Sequence, residues 1–349
     1  MPQTLTDLFG NPYLAIGAGV GAVMTALSMN VLFCIWFERK VSAWIQRRLG
    51  PMEVGPHGTL QTVADMVKLL GKQLMTPAGI DKPLYHVAPL IVFAPVVASA
   101  SLLPFSRDVA LSNLDIGLVL IFMFGGFAVI GIFMAGWGSN NKYALLGAMR
   151  SVAQNISYEV PLILAALSVV LMVGAKSAAI GPDGEEVALS GLNLSHITLA
   201  QEPGLWFIVF QPVAAVIFFI ATLAETNRAP FDLPEAESEL IAGFHTEYSG
   251  MRFGLFFFGE FSNMFIGAMV MSVLFLGGWD GPELFLGGLA GPLWFFAKTY
   301  LLIFVMMWVR WTFPRLRFDQ LMSFCWGVLT PLAIANLLVT AVLLKVVQG

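Results

Sequence analysis

Long apolar segments separated by polar loops are the dominant pattern along this chain of 349 residues. A helix needs about 20 consecutive apolar residues to cross the hydrocarbon core of a bilayer. The chain contains eight such segments, without the ten-residue alternation of a β-barrel. Their approximate bounds are 14–37, 87–105, 116–135, 152–174, 205–225, 253–277, 292–313 and 326–347. The pattern predicts an all-α integral membrane protein with eight transmembrane helices in a single domain over residues 1–349.

Basic residues are divided unequally between the two sides that these spans define. Fourteen lysines and arginines lie in or beside the segments that join spans 1–2, 3–4, 5–6 and 7–8, and three lie on the other side. Because loops rich in Lys and Arg stay on the inner side of a membrane, we expect both termini on the outer, periplasmic side. The two long inner loops are then residues 38–86 and the acidic loop 226–252.

Part of the first inner loop has a helical pattern. Between Gly58 and Leu74 the apolar residues form one stripe, and polar residues such as Asp65 and Lys68 form another. Such a helix cannot span a bilayer, so we expect an amphipathic helix in the interface plane after span 1. Two interpretations remain open. The helix is either a surface anchor or the floor of a binding cavity in which Asp65 and Lys68 face a polar ligand head.

Carboxylates are concentrated beside the predicted hydrocarbon region. Glu225 ends span 5, and Glu159 and Glu260 lie about two turns inside spans 4 and 6. A charge buried in lipid costs several kcal/mol or changes its protonation, so three such acids favour proton handling over helix-register pairing with arginines. The loop between spans 5 and 6 adds further acids, which are Asp232, Glu235, Glu237, Glu239 and Glu247.

Composition excludes several other classes of protein. The chain is 58% hydrophobic and 11% charged, and soluble domains have about 25% charged residues. No long basic run indicates nucleic acid. The two cysteines and four scattered histidines lack the spacing of a disulfide framework, an iron–sulfur cluster or a metal site. Because no nucleophile–base pair or phosphate loop occurs, we expect no catalytic and no metal-binding residue in this chain.

The remaining chemistry is that of carboxylates and a polar interface. Neighbouring carboxylates share protons and titrate as coupled sites, so a row of them can accept, pass on or release protons. A lipophilic ligand with a polar head could enter between the amphipathic helix, the basic region of Arg39 and Arg48, and the acidic loop. The residues alone therefore indicate a proton-handling membrane subunit that could also hold such a ligand.

Five long strings cover most of the polar parts of the chain and resemble the H subunit of NADH:quinone oxidoreductase, respiratory complex I. They occur in the expected order and with the expected eight spans. The strings are ERKVSAWIQRRLGP, LQTVADMVKLL, AGWGSNNKYALLGAMRSVAQNISYEV, AETNRAPFDLPEAESELIAGFHTEYSG and RLRFDQLM. One position departs from the family, because Gln73 stands where a glutamate is usual, and no acidic role is carried over to it.

The resemblance implies roles for particular residues. The quinone tunnel would be lined or bordered by Arg39, Arg48, Asp65 and Lys68. The proton path into the membrane would contain Glu159, Glu225 and Glu260. The loop that couples quinone reduction to that path would contain Asp232, Glu235, Glu237, Glu239 and Glu247.

The resemblance also implies the partners. Quinone would be the substrate, and NADH, FMN and the iron–sulfur clusters would belong to partner subunits. This chain would anchor the peripheral arm, contact other membrane subunits and lipids, and lie in the bacterial inner membrane without binding nucleic acid. Three alternatives remain. They are the homologous subunit of a complex with another electron donor (ferredoxin, a deazaflavin or a hydrogenase), a secondary transporter, and a purely structural anchor.

Overall fold

The chain is a bundle of long helices in a computed structural model that describes residues 12–107, 111–176, 178–180, 186–202, 205–232, 242–282 and 290–348. Helix α9, Met251–Phe275, is the most buried of the long helices and packs most extensively against four others. These four are α1 (Pro12–Ile45), α3 (Lys82–Ser101), α8 (Pro212–Glu225) and α10 (Ala290–Thr312). Helices α4 (Gly117–Gly138) and α5 (Lys142–Ala175) complete the bundle beside α3 and α8. The apolar core is therefore organised around α9.

Among the described residues, seven segments are long and apolar enough to cross a membrane. They support the predicted all-α integral membrane protein. The fifth predicted span is discontinuous, because a short helix α7 (Phe207–Phe210) is separated from α8 by Gln211, whose backbone is not helical. Proline follows directly at position 212 and cannot donate the hydrogen bond that would continue a helix. Helix α8 alone is 14 residues long, about 21 Å.

The break in the fifth span is held by the last helix. The Gln211 side chain donates to Thr340 Oγ1 at 2.7 Å and accepts from the Asn336 amide at 2.9 Å. Both partners belong to α12 (Thr330–Gln348), which follows a short helix α11 (Phe318–Phe324) and a π-helical turn, Cys325–Leu329. The last predicted span, 326–347, therefore begins eight residues earlier, at Phe318.

The first inner loop contains more helix than its polarity predicted. Helix α1 continues to Ile45, although the apolar run ends at Phe37. No Gly or Pro interrupts the chain before Gly50, so the helix continues as charged residues replace apolar ones. Helix α3 likewise begins at Lys82 rather than at residue 87. The loop between spans 1 and 2 is thus residues 46–81 instead of 38–86.

The predicted amphipathic helix is present as α2, Gln61–Gly71, which is shorter than the expected stretch 58–74. Its ends are set by backbone geometry, because Gly58 has a positive φ of 75° and Lys72 is extended. Helix α2 packs against α1 and α9, with Leu69 next to Gly254. It is therefore attached to the bundle at the start of α9.

Helix α5 begins ten residues earlier than predicted, because Asn141 caps it by accepting a hydrogen bond from the Tyr143 backbone amide at 2.9 Å. Glu159 is therefore 17 residues from the start of α5, about 26 Å along the axis, and not two turns inside. The segment after α5 contains a hairpin of β1 (Ala178–Ile180) and β2 (Glu186–Ala188) and a short helix α6, Leu194–Leu199.

Candidate functional site

Two of the predicted path acids line the same buried cavity. Glu225, at the end of α8, and Glu260, nine residues into α9, lie on the wall of a cavity of about 30 Å³. Such a volume holds one or two water molecules. Glu159 lies close enough to Glu225 for the two charges to interact. The structure thus brings together the three acids that the sequence placed on three helices.

A second cavity, of about 50 Å³, meets the first one at Glu225. The two cavities share four wall residues, which are Gly125, Glu225, Thr226 and Asn263. Gly125 leaves the space that the carboxylate needs, since a Cβ at this position would lie 3.0 Å from Glu225 Oε1. Glu225 therefore stands between two small cavities inside the bundle.

The turn after Glu225 is fixed by the side chain of Gln154 in α5. The buried Gln154 amide donates to the carbonyls of Ala224 and Phe231, each at 2.8 Å. The first bond gives a partner to a carbonyl at the end of α8, where helical donors are lacking, and the second one holds a carbonyl in the turn that follows. Gln154 thereby sets the direction in which the chain leaves Glu225.

His245 connects the end of the acidic loop to Glu260. Its Nε2 lies 3.4 Å from Glu260 Oε1, and its ring is held between those of Phe244, Phe253 and Phe256. This contact suits either a hydrogen-bonded or a proton-exchanging histidine. The site reaches the acidic loop through this histidine.

A buried ion-pair cluster lies where α1, α10 and the turn after α8 meet. The Glu38 carboxylate pairs with Arg228 Nη1 at 3.1 Å and with the guanidinium of Arg310. The Arg228 guanidinium lies 4.1 Å from the centre of the Phe261 ring, next to Glu260 in α9. Two arginines against one carboxylate make this region positive when Glu38 is ionised, which favours a ligand with electron-rich oxygen atoms.

Of the four predicted quinone-site residues near the end of α1, two form an ion pair with each other and two are exposed. Arg39 and Asp65 form an ion pair of 2.6 Å between α1 and α2, and both side chains are more than a third exposed. Gln61 also donates to Asp65, at 3.2 Å. Arg48 and Lys68 are exposed, and Asp65 pairs with Arg39 rather than with Lys68.

The acidic-loop residues separate into different places. Asp232 pairs with Arg315 at 2.9 Å, and Glu247 accepts from the Asn141 amide at 2.7 Å at the start of α5. Glu247 is thus held by the α4–α5 turn and does not line the two cavities. Glu235, Glu237 and Glu239 lie outside the described residues. Within those residues, no group of three or more His, Cys, Asp or Glu side chains is placed to hold a metal ion.

Comparison with known proteins identifies the family to which a chain with this site is similar. A sequence model described as NADH dehydrogenase matches residues 18–341. The H subunit of NADH-quinone oxidoreductase from Desulfotalea psychrophila is 48% identical over 321 residues, 92% of this chain and 94% of that protein. The proteins of the same name from Carboxydothermus hydrogenoformans and Geobacillus thermodenitrificans are each 45% identical, over 97% and 98% of this chain and 91% and 98% of their own lengths.

The chain belongs to the family of NADH-quinone oxidoreductase H subunits. The resemblance predicted from the five sequence strings is confirmed. Its relatives carry the name of a subunit of an oxidoreductase complex, which agrees with a chain that contains acids and arginines but lacks a nucleophile–base pair in its sequence.

Membership of this family draws attention to residues that the sequence reasoning missed. Arg228 and Arg310 entered only the count of basic residues and Glu38 received no role, yet the three form the most buried ion-pair cluster among the described residues. A signal existed in the sequence, because each of the three lies at the end of a span on the same predicted side. Charges of opposite sign at one depth of a bundle are expected to pair.

Proposed function

We propose that this chain is the membrane subunit of a proton-pumping NADH:quinone oxidoreductase. In this role it forms the membrane part of the quinone tunnel, couples quinone reduction to proton translocation, and is not catalytic alone. The observation that carries the proposal is the shared cavity of Glu225 and Glu260, from which His245 leads to the acidic loop. The names of the relatives supply the substrate class.

The quinone end of this function rests on Arg39, Arg48, Asp65 and Lys68. A quinone head group presents two carbonyl oxygens, which accept hydrogen bonds from guanidinium and ammonium groups. Asp65 holds Arg39 at 2.6 Å and so orients the guanidinium between α1 and α2. NADH, FMN and the iron–sulfur clusters belong to partner subunits, which supply the electrons.

The proton end rests on Glu159, Glu225 and Glu260. Carboxylates on one small cavity do not all stay ionised, because each charge raises the cost of the next. A change of charge at the reduced quinone therefore redistributes protons among them. The loop that transmits the change contains Asp232, Glu235, Glu237, Glu239 and Glu247, and its end is attached to α9 through the contact of His245 with Glu260.

The proposal also covers topology and partners. Helices α7 and α8 together act as the fifth of eight spans, with the buried side chain of Gln211 bonded to α12, because lipid could not satisfy its amide. Both termini lie on the periplasmic side of a bacterial inner membrane. The other membrane subunits, the peripheral arm and lipids surround the chain.

The test is the Glu260→Gln variant in membranes that contain the assembled complex. We expect NADH-driven proton pumping to fall far more than the amount of assembled complex, because the amide cannot carry a proton. Asp319→Asn, an exposed acid on α11, is the matched control. An assembled Glu260→Gln complex that pumps at the wild-type rate and proton-to-electron ratio would contradict the role of Glu260 in the proton path.

The electron donor needs its own measurement. We expect membranes that contain the complex to reduce quinone with NADH and to lose this activity when the chain is deleted. Reduction with reduced ferredoxin or hydrogen in place of NADH would instead identify the complex as one of the alternative donor types.

A further inference from the structure

A buried lysine closes the end of the bundle opposite to the acidic loop. The Lys298 ammonium, in α10, donates to the backbone carbonyls of Leu276 at 2.6 Å, Gly278 at 3.1 Å and Asp280. It also lies 4.2 Å from the Trp206 ring, and the residue is 6% exposed. These carbonyls follow the C-terminal end of α9, where helices lack internal donors and favour a cation.

The carbonyls converge on Lys298 because two glycines turn the chain sharply. Gly277 and Gly278 have φ values of 70° and 48°, a region that L-residues with side chains rarely adopt. A Cβ at Gly277 would lie 2.8 Å from Trp206, and one at Gly278 would lie 2.8 Å from Thr198. The turn is therefore packed tightly against α6 and the segment that follows it.

Hydrogen bonds hold that segment against the C-terminal ends of α5 and α9. Gln201, which is 1% exposed, donates to the Val273 carbonyl at 2.9 Å and accepts from the Phe207 amide at 3.1 Å. Lys176, just after α5, donates to the Ala200 carbonyl at 2.6 Å. We call these residues, together with Lys298 and residues 276–280, the Lys298 cap. Its side chains place two cations at one end of the bundle, together with the Asp280 carboxylate, which accepts from Trp206 Nε1 at 3.2 Å.

An apolar layer separates the Lys298 cap from Glu225. The rings of Phe218 in α8 and Phe275 in α9 lie 5.7 Å apart and are both buried. Phe218 also lines the cavity of about 50 Å³ that Glu225 borders. Between this cavity and the cap, the described residues thus provide a hydrophobic constriction beneath a fixed positive charge.

We propose that the Lys298 cap and the Phe218–Phe275 layer form a barrier that prevents protons from passing between Glu225 and the aqueous phase at this end. Apolar constrictions exclude water, and a fixed cation repels protons and small cations. The inference deepens the proposed function, on which it rests for the protonation of Glu225. Protons taken up at Glu225 then leave sideways or towards the acidic loop, but not through the cap.

The test is passive proton leak without turnover. Proteoliposomes that contain the assembled complex receive a pH gradient, with potassium and valinomycin to hold the membrane potential at zero, and the decay of internal pH is followed without NADH or quinone. Lys298→Met should accelerate the decay several-fold. Lys345→Met removes an exposed lysine of α12 at the same end of the bundle and should retain the wild-type decay.

A second variant covers the case in which Lys298→Met does not assemble. Phe275→Ala should also leak, and adding Glu225→Gln should slow its leak, because the route passes the Glu225 cavity. A wild-type decay in an assembled Lys298→Met or Phe275→Ala complex would overturn the inference, as would an equal leak in Lys345→Met. Because no turnover occurs, this result is independent of whether Glu260→Gln impairs pumping.

Discussion

Arg228 lies between the carboxylate of Glu38 and the aromatic ring of Phe261. Its Nη1 is 3.1 Å from Glu38 Oε2, and its guanidinium carbon is 4.1 Å from the ring centre. One side chain thus joins α1, the turn after Glu225 and the residue next to Glu260. The proposed quinone end and the proposed proton path therefore meet at a single buried arginine.

Replacing the carboxylate of this cluster should destabilise the chain strongly. Glu38→Gln leaves Arg228 and Arg310 without their buried counter-charge, and loss of one partner from a buried pair costs about 3–5 kcal/mol. We expect a lower thermal midpoint of the solubilised complex and less assembled complex in membranes. Asp65→Asn breaks an exposed pair worth about 0–1 kcal/mol and is the comparison for stability. Equal midpoints for the two variants would contradict the prediction.

Asp65→Asn should instead affect the substrate. Without the carboxylate, Arg39 loses its partner at 2.6 Å and its fixed orientation between α1 and α2. We expect lower quinone reductase activity and altered sensitivity to quinone-site inhibitors in assembled membranes, with unchanged reduction of an artificial acceptor by NADH. Unchanged values for both activity and inhibition would remove Asp65 and Arg39 from the quinone site.

A glycine outside the cavity should control the contact of His245 with Glu260. A Cβ at Gly147 in α5 would lie 2.8 Å from the Gly243 Cα, so Gly147→Ala must displace the backbone turn that carries His245. We expect a cost of about 1–3 kcal/mol, typical of overpacking, and a lower proton-to-electron ratio.

The matched control for Gly147→Ala lies in α4. Gly126 has no described atom within 4 Å of its ideal Cβ position, so Gly126→Ala should retain wild-type pumping. Identical pumping ratios in both alanine variants would mean that the 243–245 turn does not influence the acids.

Glu202 should give the stability of the chain a defined pH dependence. Burial raises the pKa of its carboxyl above the usual 4.5, although the Trp279 hydrogen bond and Arg107 oppose the shift. The folded state then binds the proton more tightly than the unfolded state. The free energy of unfolding should therefore fall as the pH rises from 4.5 through the raised pKa. Thermal midpoints across that range should fall less steeply for Glu202→Gln, and an unchanged slope would contradict this assignment.

The sequence predicted what depends on apolarity and on local spacing. Runs of apolar residues located the long helices, the end of α8 at Glu225 and the stripe of α2. It misplaced the starts and ends that apolarity does not mark. Helix α1 continues through charged residues to Ile45, and α5 begins at a cap formed by Asn141.

Ion pairs between residues that are far apart in the chain could not be predicted from the sequence. From a spacing of three, the sequence placed Asp65 and Lys68 on one polar stripe, but it gave no sign that Asp65 pairs with Arg39 across 26 positions. Glu38 and Arg310 are 272 positions apart, and nothing local in either segment indicates the other. Helix packing decides such contacts, and the order of apolar segments does not determine which faces meet.

The broken fifth span has a consequence for the synthesis of the chain. The partners of Gln211 at the break are Asn336 and Thr340, which lie 125 and 129 positions later. While the ribosome is still producing the residues between them, the Gln211 side chain has no α12 partner, although its backbone amide and carbonyl are bonded to Phe207 and Ala215. Because lipid cannot supply hydrogen bonds, this buried side-chain amide is satisfied only after α12 has been inserted. The C-terminal helix thus completes the hydrogen bonding of a segment made long before it.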